Sequence, residues 1–434
     1  MQLTIDKLIY GGDGLARTSG KTVFVPFVLP GEQIEAELME DRKSFARGKA
    51  TQITRAAESR VAPGCPYYGA CGGCQYQHAS YEAQLAAKRD IWMESLRRTA
   101  GVELEVALPV LASPHPYGYR NRTRVHVQYQ PQFALGYFRA GTHELLEIRE
   151  CPISSPLINR AITALWRAGD EGALPPAVRE IEMFAEDEDR ECLLELYVGA
   201  RRPTEQELER FADTIARELP ECVGIHAFAD SATARGRVPV LQQIASAGES
   251  SLDYRVGAHT YRVSAGSFFQ VNRFSAPLLV ELVTRGASGK LAVDLYAGAG
   301  LFAVPLNEMF EQVVAVEASP FSFADLESNL PSPAKVFCQT TEAFLRHRAR
   351  EIAGADLVVV DPPRAGLGTD TAGLLAKALP KEVRYVSCDP TTLARDLKVL
   401  LDSGYRIEEA HLVDMFPQTF HIESFVRLTS RRHE

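Results

Sequence analysis

From Asn272 to the end of the chain, short apolar runs alternate with stretches of helical period. The runs are KLAVDLY, QVVAVEA, DLVVVDPP and EVRYVSCDP, and the stretches between and around them include RFSAPLLVELVTRG and PTTLARDLKVLLDSG. A strand that is apolar along its whole length is buried on both faces, and helices placed between such strands provide the cover. The alternation therefore predicts a mainly parallel, doubly wound α/β domain over residues 266–434. Ligands of such sheets bind beyond the carboxyl ends of the strands, so functional residues are sought there.

The first strand end reads KLAVDLYAGAGLFAVPL, an apolar run entering a glycine turn and then a helix. Gly298 and Gly300 allow a ligand to approach the backbone. Glu317 closes the next strand, VVAVEA, where a carboxylate can accept hydrogen bonds from both hydroxyls of a ribose. The turn lacks the third glycine of the dinucleotide fingerprint, which favours an adenosine cofactor without a pyrophosphate, namely S-adenosylmethionine. Read alone, either glycine is equally a structural strand-to-helix turn.

Two further strand ends carry reactive groups. In ADLVVVDPPRAGL, Asp361 ends an apolar strand, and Pro362 and Pro363 stop the ladder and fix the path of Arg364. In VSCDPTTLARD, Cys388 stands between a strand and a helix that Asp389 caps and Pro390 begins, with Leu393, Leu397, Leu400 and Leu401 as its apolar stripe. A free thiol has a pKa of roughly 8.5, which a helix N-terminus lowers. The carboxylate of Asp389 works against that. Most cysteines are simply small hydrophobes, a reading that suits Cys192, Cys222 and Cys338. Downstream, HIESFVRL sets Glu423 between Ile422 and Phe425 in a terminal strand, an unexpected place for a carboxylate unless it is solvated or functional.

The chain has eight cysteines, and its start, MQLTIDKLIYGGDG, lacks the pattern of a secretory signal. A cytoplasmic location is expected, where thiols stay reduced. Cys65, Cys71 and Cys74 then read as metal ligands with Cys151, in IRECPIS, as a fourth. Zinc and an iron-sulfur cluster both accept four thiolates, and the spacing leaves the choice open.

A length of 434 residues implies several domains. Residues 1–60 alternate β-rich runs with glycine turns, as in a small β-barrel. Residues 61–265 mix strands with the helices SYEAQLAAKRDIWMESLRRTAG and TEQELERFADTIAREL, an α+β domain that contains the cysteine site. AEDEDRE, around Glu186, reads as a solvated acidic loop. No apolar run is long enough for a membrane span. A net charge of −9 argues against general nucleic-acid binding, so any nucleic acid must meet local basic patches. One is YRNRTRVHVQYQ, where strand alternation sets Arg120, Arg122, Arg124 and His126 on one face as phosphate contacts; another is DRKSFARGK.

The cysteine quartet, SFFQVN (Ser267 to Asn272), DLYAGAG, DPPRAGL, SCDP and HIE occur in an order that resembles the RNA (uracil-5-)-methyltransferases, of the 23S ribosomal RNA type with an N-terminal TRAM domain. The resemblance covers almost the whole chain. It implies an OB-like TRAM barrel and a class I, Rossmann-like methyltransferase domain. It implies a [4Fe-4S] cluster on Cys65, Cys71, Cys74 and Cys151, and S-adenosylmethionine contacts from Gln270, Tyr296, Glu317 and Asp361 beside the glycine turn. Cys388 corresponds to the nucleophile and Glu423 to the base. Leu301 stands where some members have asparagine. Phe268, Phe269, Gln270 and Asn272 belong to the motif expected to receive a uracil flipped out of its stack. The implied partner is RNA, with no membrane and no protein subunit, so a monomer is expected. Alternatives are another ribosomal uridine, the transfer RNA T-loop, or a non-enzymatic iron-sulfur RNA-binding protein, which needs neither Cys388 nor Glu423. A cytosine-5 enzyme places its cysteine in the motif where this chain has Arg364. A radical enzyme uses Cys-x3-Cys-x2-Cys, not the spacing found here.

Overall fold

A computed structural model of the chain describes residues 1–18, 20–230 and 241–431. Two compact units are present: Met1–Pro116 with Glu281–Leu295 and Thr341–Glu434, and Tyr117–Val280 with Tyr296–Thr340. Among the described residues no helix is long and apolar enough to cross a membrane.

The first unit begins with six strands in the order Gln2–Thr4, Gln33–Asp41, Phe45–Arg55, Lys21–Val25, Gly14–Thr18, Lys7–Leu8. Bulges in the long Gln33–Asp41 and Phe45–Arg55 pair bend the sheet, and the first strand packs back against Gly14–Thr18. Leu3, Val23, Val25, Val28 and Ile34 fill the interior. The expected small barrel is present.

The helix Tyr81–Ser95 follows, capped by Ser80, and its last turn relaxes into a π-turn that ends at Gly101 in the left-handed conformation. The remainder of this unit is a sheet in the order Gly289–Leu295, Leu357–Val360, Glu382–Ser387, Glu423–Ser430, Tyr405–Val413, Val110–Leu111. The first three strands run parallel, and Glu423–Ser430 is antiparallel to both of its neighbours. Leu357–Val360 is buried at every position, as its apolar sequence requires. The helix Pro390–Asp402 buries Leu393, Leu397 and Leu400.

The second unit contains a seven-stranded mixed sheet in the order Leu145–Glu147, Ala134–Phe138, Arg122–Gln128, Val178–Ala185, Cys192–Val198, Cys222–Asp230, Leu241–Gly248. The helices Pro156–Asp170 and Glu205–Glu218 belong to it, the latter opened by a capping box between Thr204 and Glu207. Strands Phe310–Glu317 and Lys335–Cys338 pair in parallel, with the helix Pro320–Asn329 between them in the chain.

Two expectations are corrected here. Glu186 is buried rather than solvated, and its carboxylate accepts the amides of Glu188, at 2.8 Å, and Arg190, organising the turn between two strands. Cys338 is exposed rather than buried.

Candidate active site

Strands Glu382–Ser387 and Glu423–Ser430 pair with Ser387 facing Ser424, and the Ser424 hydroxyl donates to the Ser387 carbonyl at 3.2 Å. Cys388 follows Ser387 directly, and Glu423 precedes Ser424 at the start of its strand. On the other side of Glu382–Ser387, Val360 pairs with Tyr385, so Asp361 leaves the neighbouring strand at the same end. Three groups picked out from sequence thus meet at the ends of three adjacent strands.

Local sequence fixes Cys388. Asp389 accepts the Thr391 and Thr392 amides at 2.9 and 3.0 Å, and Pro390 starts the helix. The Ser387 hydroxyl brackets the Asp389 backbone, donating to its carbonyl at 3.1 Å and accepting its amide at 3.2 Å.

The same helix pins the DPPRAGL loop. Thr392 donates to the Arg364 carbonyl at 3.0 Å, Arg395 donates to the Ala365 carbonyl at 2.7 Å, and buried Asp396 accepts the Leu367 amide at 2.7 Å and the Tyr385 hydroxyl at 2.8 Å. Gly366 has a φ of 70°, and a Cβ there would lie 2.4 Å from the Asp396 carboxylate. The held loop presents Arg364 to the His421 ring at 3.1 Å.

Glu423 is buried, and its Oε1 has no hydrogen-bond partner. Burial first, and the charge of Asp361 second, push its pKa well above the ordinary carboxylate range. Burial likewise raises Asp361 to about 7. The Cys388 thiol is pushed up to about 12 by burial and by the charges of Glu423 and Asp361, while Arg364 pulls it down. In the absence of a bound substrate the thiol holds its proton.

The segment leading to Glu423 is tied to the first helix and to the cysteine loop. Asp414 accepts from buried Lys88 at 2.6 Å and from the Tyr81 hydroxyl at 2.8 Å. Gln418, at a φ of 70°, exchanges hydrogen bonds with Gln84, and its carbonyl accepts the Gln75 and Tyr76 amides at 3.1 and 2.9 Å. The Phe420 amide donates to the Gln75 side chain at 3.4 Å. Gln75 follows Cys74, so the cysteine loop borders the approach to Glu423. Sequence reasoning missed Lys88, Gln84 and Gln418; Lys88 and Gln84 are polar residues on the otherwise buried side of the helix Tyr81–Ser95, while Gln418 lies in a turn that carries no such signal.

In the second unit, Glu317 ends its strand and accepts three backbone amides, from Gly298 at 2.8 Å, Ala318 at 2.8 Å and Ser319 at 2.6 Å. Gly298 and Gly300 have φ of 56° and 98°, and Tyr296 takes the left-handed region at 66°. A Cβ on Gly298 would meet nothing within 4 Å, so the turn borders open space beside the carboxylate. This is a fitting cradle for a ribose-bearing cofactor. Gln270 is buried, and Leu301 is buried with its carbonyl accepting the Tyr261 hydroxyl at 2.9 Å.

The expected RNA contacts divide. Phe268 is 63% exposed, whereas Phe269 is core, packed against Tyr254 and Tyr261. Asn272, expected to contact RNA, is fully buried, and its Oδ1 accepts the Phe274 and Ser275 amides at 3.0 and 3.1 Å. Arg122 is buried and paired with Glu182 and Glu195. Arg124 is exposed but pairs with Glu182 and Glu180 and stacks on Tyr197 at 3.7 Å. Arg120 donates to the Arg122 carbonyl at 2.8 Å.

All four cysteines expected to bind metal are half-buried thiols outside any disulfide. The Gly73 amide donates to the Cys71 sulfur at 3.4 Å, and the Cys151 amide to Asn159 at 2.7 Å. Among the described residues no group of three His, Cys, Asp or Glu side chains is gathered as for a metal ion.

Residues 80–431 match the family model described as tRNA (Uracil-5-)-methyltransferase, and residues 1–51 match that of the TRAM domain. An uncharacterized RNA methyltransferase of Aquifex aeolicus is 34% identical over 99% of this chain and 98% of its own length. The 23S rRNA (uracil(1939)-C(5))-methyltransferase RlmD of Yersinia enterocolitica is 32% identical over 98% of this chain and 94% of its own. The crystal structure of Pyrococcus abyssi tRNA (uracil-54, C5)-methyltransferase in complex with S-adenosyl-L-homocysteine superposes with a TM-score of 0.76 at 26% identity, covering 99% of this chain and all of that one. Fold and matches together define an S-adenosylmethionine-dependent RNA methyltransferase acting at uracil C5. The chain belongs to the tRNA (uracil-5-)-methyltransferase family.

Proposed function

We propose that the chain methylates C5 of one uridine in 23S ribosomal RNA, with Cys388 as nucleophile and Glu423 as the base that ends the reaction. The observation that carries this is the gathering of Cys388, Glu423 and Asp361 at the same end of three adjacent strands, with the Glu423 and Asp361 charges acting on the Cys388 thiol. Relatives named for 23S rRNA methylation, aligned end to end, support the choice of RNA, and the TRAM match supports an RNA-binding barrel. Three domains, 1–60, 61–265 and 266–434, a monomeric chain and a cytoplasmic site of action complete the proposal.

Uracil C5 is too weakly nucleophilic to take a methyl group directly. As the Cys388 sulfur bonds to C6, its proton passes to solvent water and the C5–C6 π electrons move into an enolate. S-adenosylmethionine, when bound, supplies the electrophilic methyl group that C5 accepts. Glu423 then takes the C5 proton, the C5–C6 double bond re-forms, and the sulfur leaves C6. The raised pKa suits Glu423 to this step, since its ionised form is a stronger base than an ordinary carboxylate. Glu317 would hold the cofactor ribose at the glycine turn of Gly298 and Gly300, with Gln270, Tyr296 and Asp361 as further contacts. Phe268 offers an exposed ring for a flipped base, and Arg120 and Arg124 lie on the face proposed to meet phosphate.

A [4Fe-4S] cluster on Cys65, Cys71, Cys74 and Cys151 is proposed from the donor chemistry: four thiols outside any disulfide, three of them within ten residues of a glycine-rich loop. Iron and sulfide analysis of anaerobically purified protein tests it, and iron should fall away in Cys74→Ala. The RNA target is tested by mapping 5-methyluridine in ribosomal and transfer RNA from cells with and without this protein. Loss of one mark in 23S rRNA is expected; loss of a transfer RNA T-loop mark alone would move the target to transfer RNA.

A further inference from the structure

The turn Ile9–Asp13 of the N-terminal barrel ends up against the cap of the helix that follows Cys388. The Tyr10 hydroxyl donates to Asp389 Oδ2 at 2.9 Å, although 379 residues separate the two in sequence. The ring of Tyr10 stands edge-on to Phe420 at 5.4 Å. The turn itself is closely seated: a Cβ on Gly12 would come 2.8 Å from Gln75 Cβ and 3.7 Å from Phe420 Cβ. Both oxygens of Asp389 are therefore engaged, Oδ1 accepting the Thr391 and Thr392 amides and Oδ2 accepting the phenol.

That engagement matters because Asp389 adjoins Cys388. A carboxylate whose oxygens are both held by donors projects less negative potential at a neighbouring sulfur than one with a bare oxygen. The helix N-terminus that Asp389 caps favours a thiolate at Cys388, but only while the cap is held. The groups acting on the sulfur are Glu423 and Asp361, which disfavour ionisation, and Arg364, which favours it. Asp389, next to Cys388 in the chain, is held with both oxygens engaged by its Tyr10 donor and the helix amides.

We propose that Tyr10 is a positioning residue for the reaction: its hydroxyl holds Asp389, the helix cap next to Cys388, and engages the carboxylate oxygen that the cap leaves free, so the barrel contributes to the reaction centre as well as to RNA binding. This rests on the reading of Cys388 as nucleophile. Tyr10→Phe keeps the ring against Phe420 and removes only the donor. The Asp389 carboxylate, on the residue after Cys388, then regains a bare oxygen, and thiolate formation becomes harder.

The test measures covalent capture of RNA carrying 5-fluorouridine by full-length protein, across pH, together with RNA affinity and melting temperature. In Tyr10→Phe, capture at neutral pH should slow about tenfold and its pH profile move up by as much as about one unit, with RNA affinity unchanged. In Asp389→Asn, which retains a capping side chain without the charge, adding Tyr10→Phe should have no further effect. Alkylation of Cys388 against pH, without RNA, should show the same upward shift and does not depend on RNA binding. An unmoved pH profile, a loss of RNA affinity alone, or an equal slowing in the Asp389→Asn background would overturn the proposal. Capture that persists in Cys388→Ala would instead remove the reading on which it rests.

Discussion

Ser387 and Ser424 face each other across two antiparallel strands, with Cys388 directly after the first and Glu423 at the start of the second, close enough for the Glu423 charge to act on the thiol. Glu423 is held in the backbone ladder of a buried strand, whereas Cys388 stands in the bend between its strand and the helix that Asp389 caps. Such placement is stiff, and it lets the consequences of single substitutions be stated sharply.

Glu423→Gln should still form the covalent RNA complex but fail to resolve it. Removal of a general base costs about 10²–10⁴-fold, so multiple turnover should fall by at least about a hundredfold. The check is denaturing electrophoresis with unmodified RNA and S-adenosylmethionine. A methylated complex should accumulate in the variant and not in wild type; equal turnover in both would remove Glu423 from the role of base.

The thiol gives a pH prediction of known sign. Cys388 is raised to about 12, so its alkylation by iodoacetamide, followed by peptide mass spectrometry, should keep accelerating with pH well above the roughly 8.5 midpoint of a free cysteine. Glu423→Gln removes one of the charges that hold the proton on the sulfur, so the midpoint should move down. A wild-type midpoint at or below the free-cysteine value would contradict this balance of charges around the sulfur.

Gly366→Ala should destabilise the protein by about 1–3 kcal/mol, because a left-handed backbone and a Cβ against buried Asp396 are both unfavourable. Thermal unfolding measures the loss. An unchanged melting temperature would mean that Asp396 does not hold the DPPRAGL loop.

Two adjacent phenylalanines should respond differently. Phe268→Ala removes an exposed ring and should weaken RNA binding by about 1–3 kcal/mol with little change in stability. Phe269→Ala empties a packed position and should cost about 3–5 kcal/mol of stability. Binding titrations and unfolding curves on both variants separate the roles, and similar behaviour of the two would defeat the assignment of Phe268.

What the sequence makes legible depends on how local the determining interaction is. Asp389 and Pro390 encode the start of a helix within three residues, so the place of Cys388 can be read from its immediate neighbours. Glu423 is readable as a charge in an apolar strand. The arginine stripe is readable as alternation, but its partners are not: the register sets Glu182 opposite Arg124 and Glu180 opposite His126, and Glu195 comes from the strand beyond. A pattern that looks like a phosphate grip therefore becomes, in large part, an internal ion-pair network. Glu186 is misread as solvated for a related reason, since its partners are turn amides that carry no side-chain signal. Tyr10 is the extreme case, because nothing in YGGDG indicates that its tyrosine reaches Asp389.

The central claim is that Cys388 bonds to C6 of the target uracil. Incubating the full-length protein and S-adenosylmethionine with RNA carrying 5-fluorouridine at the target should trap that bond, because fluorine cannot be removed as a proton. Digestion and mass spectrometry should then find one nucleotide, methylated and fluorinated at C5, attached to the peptide that contains Cys388, and no complex in Cys388→Ala. A complex of equal yield in Cys388→Ala, or attachment at any other cysteine, would contradict the claim.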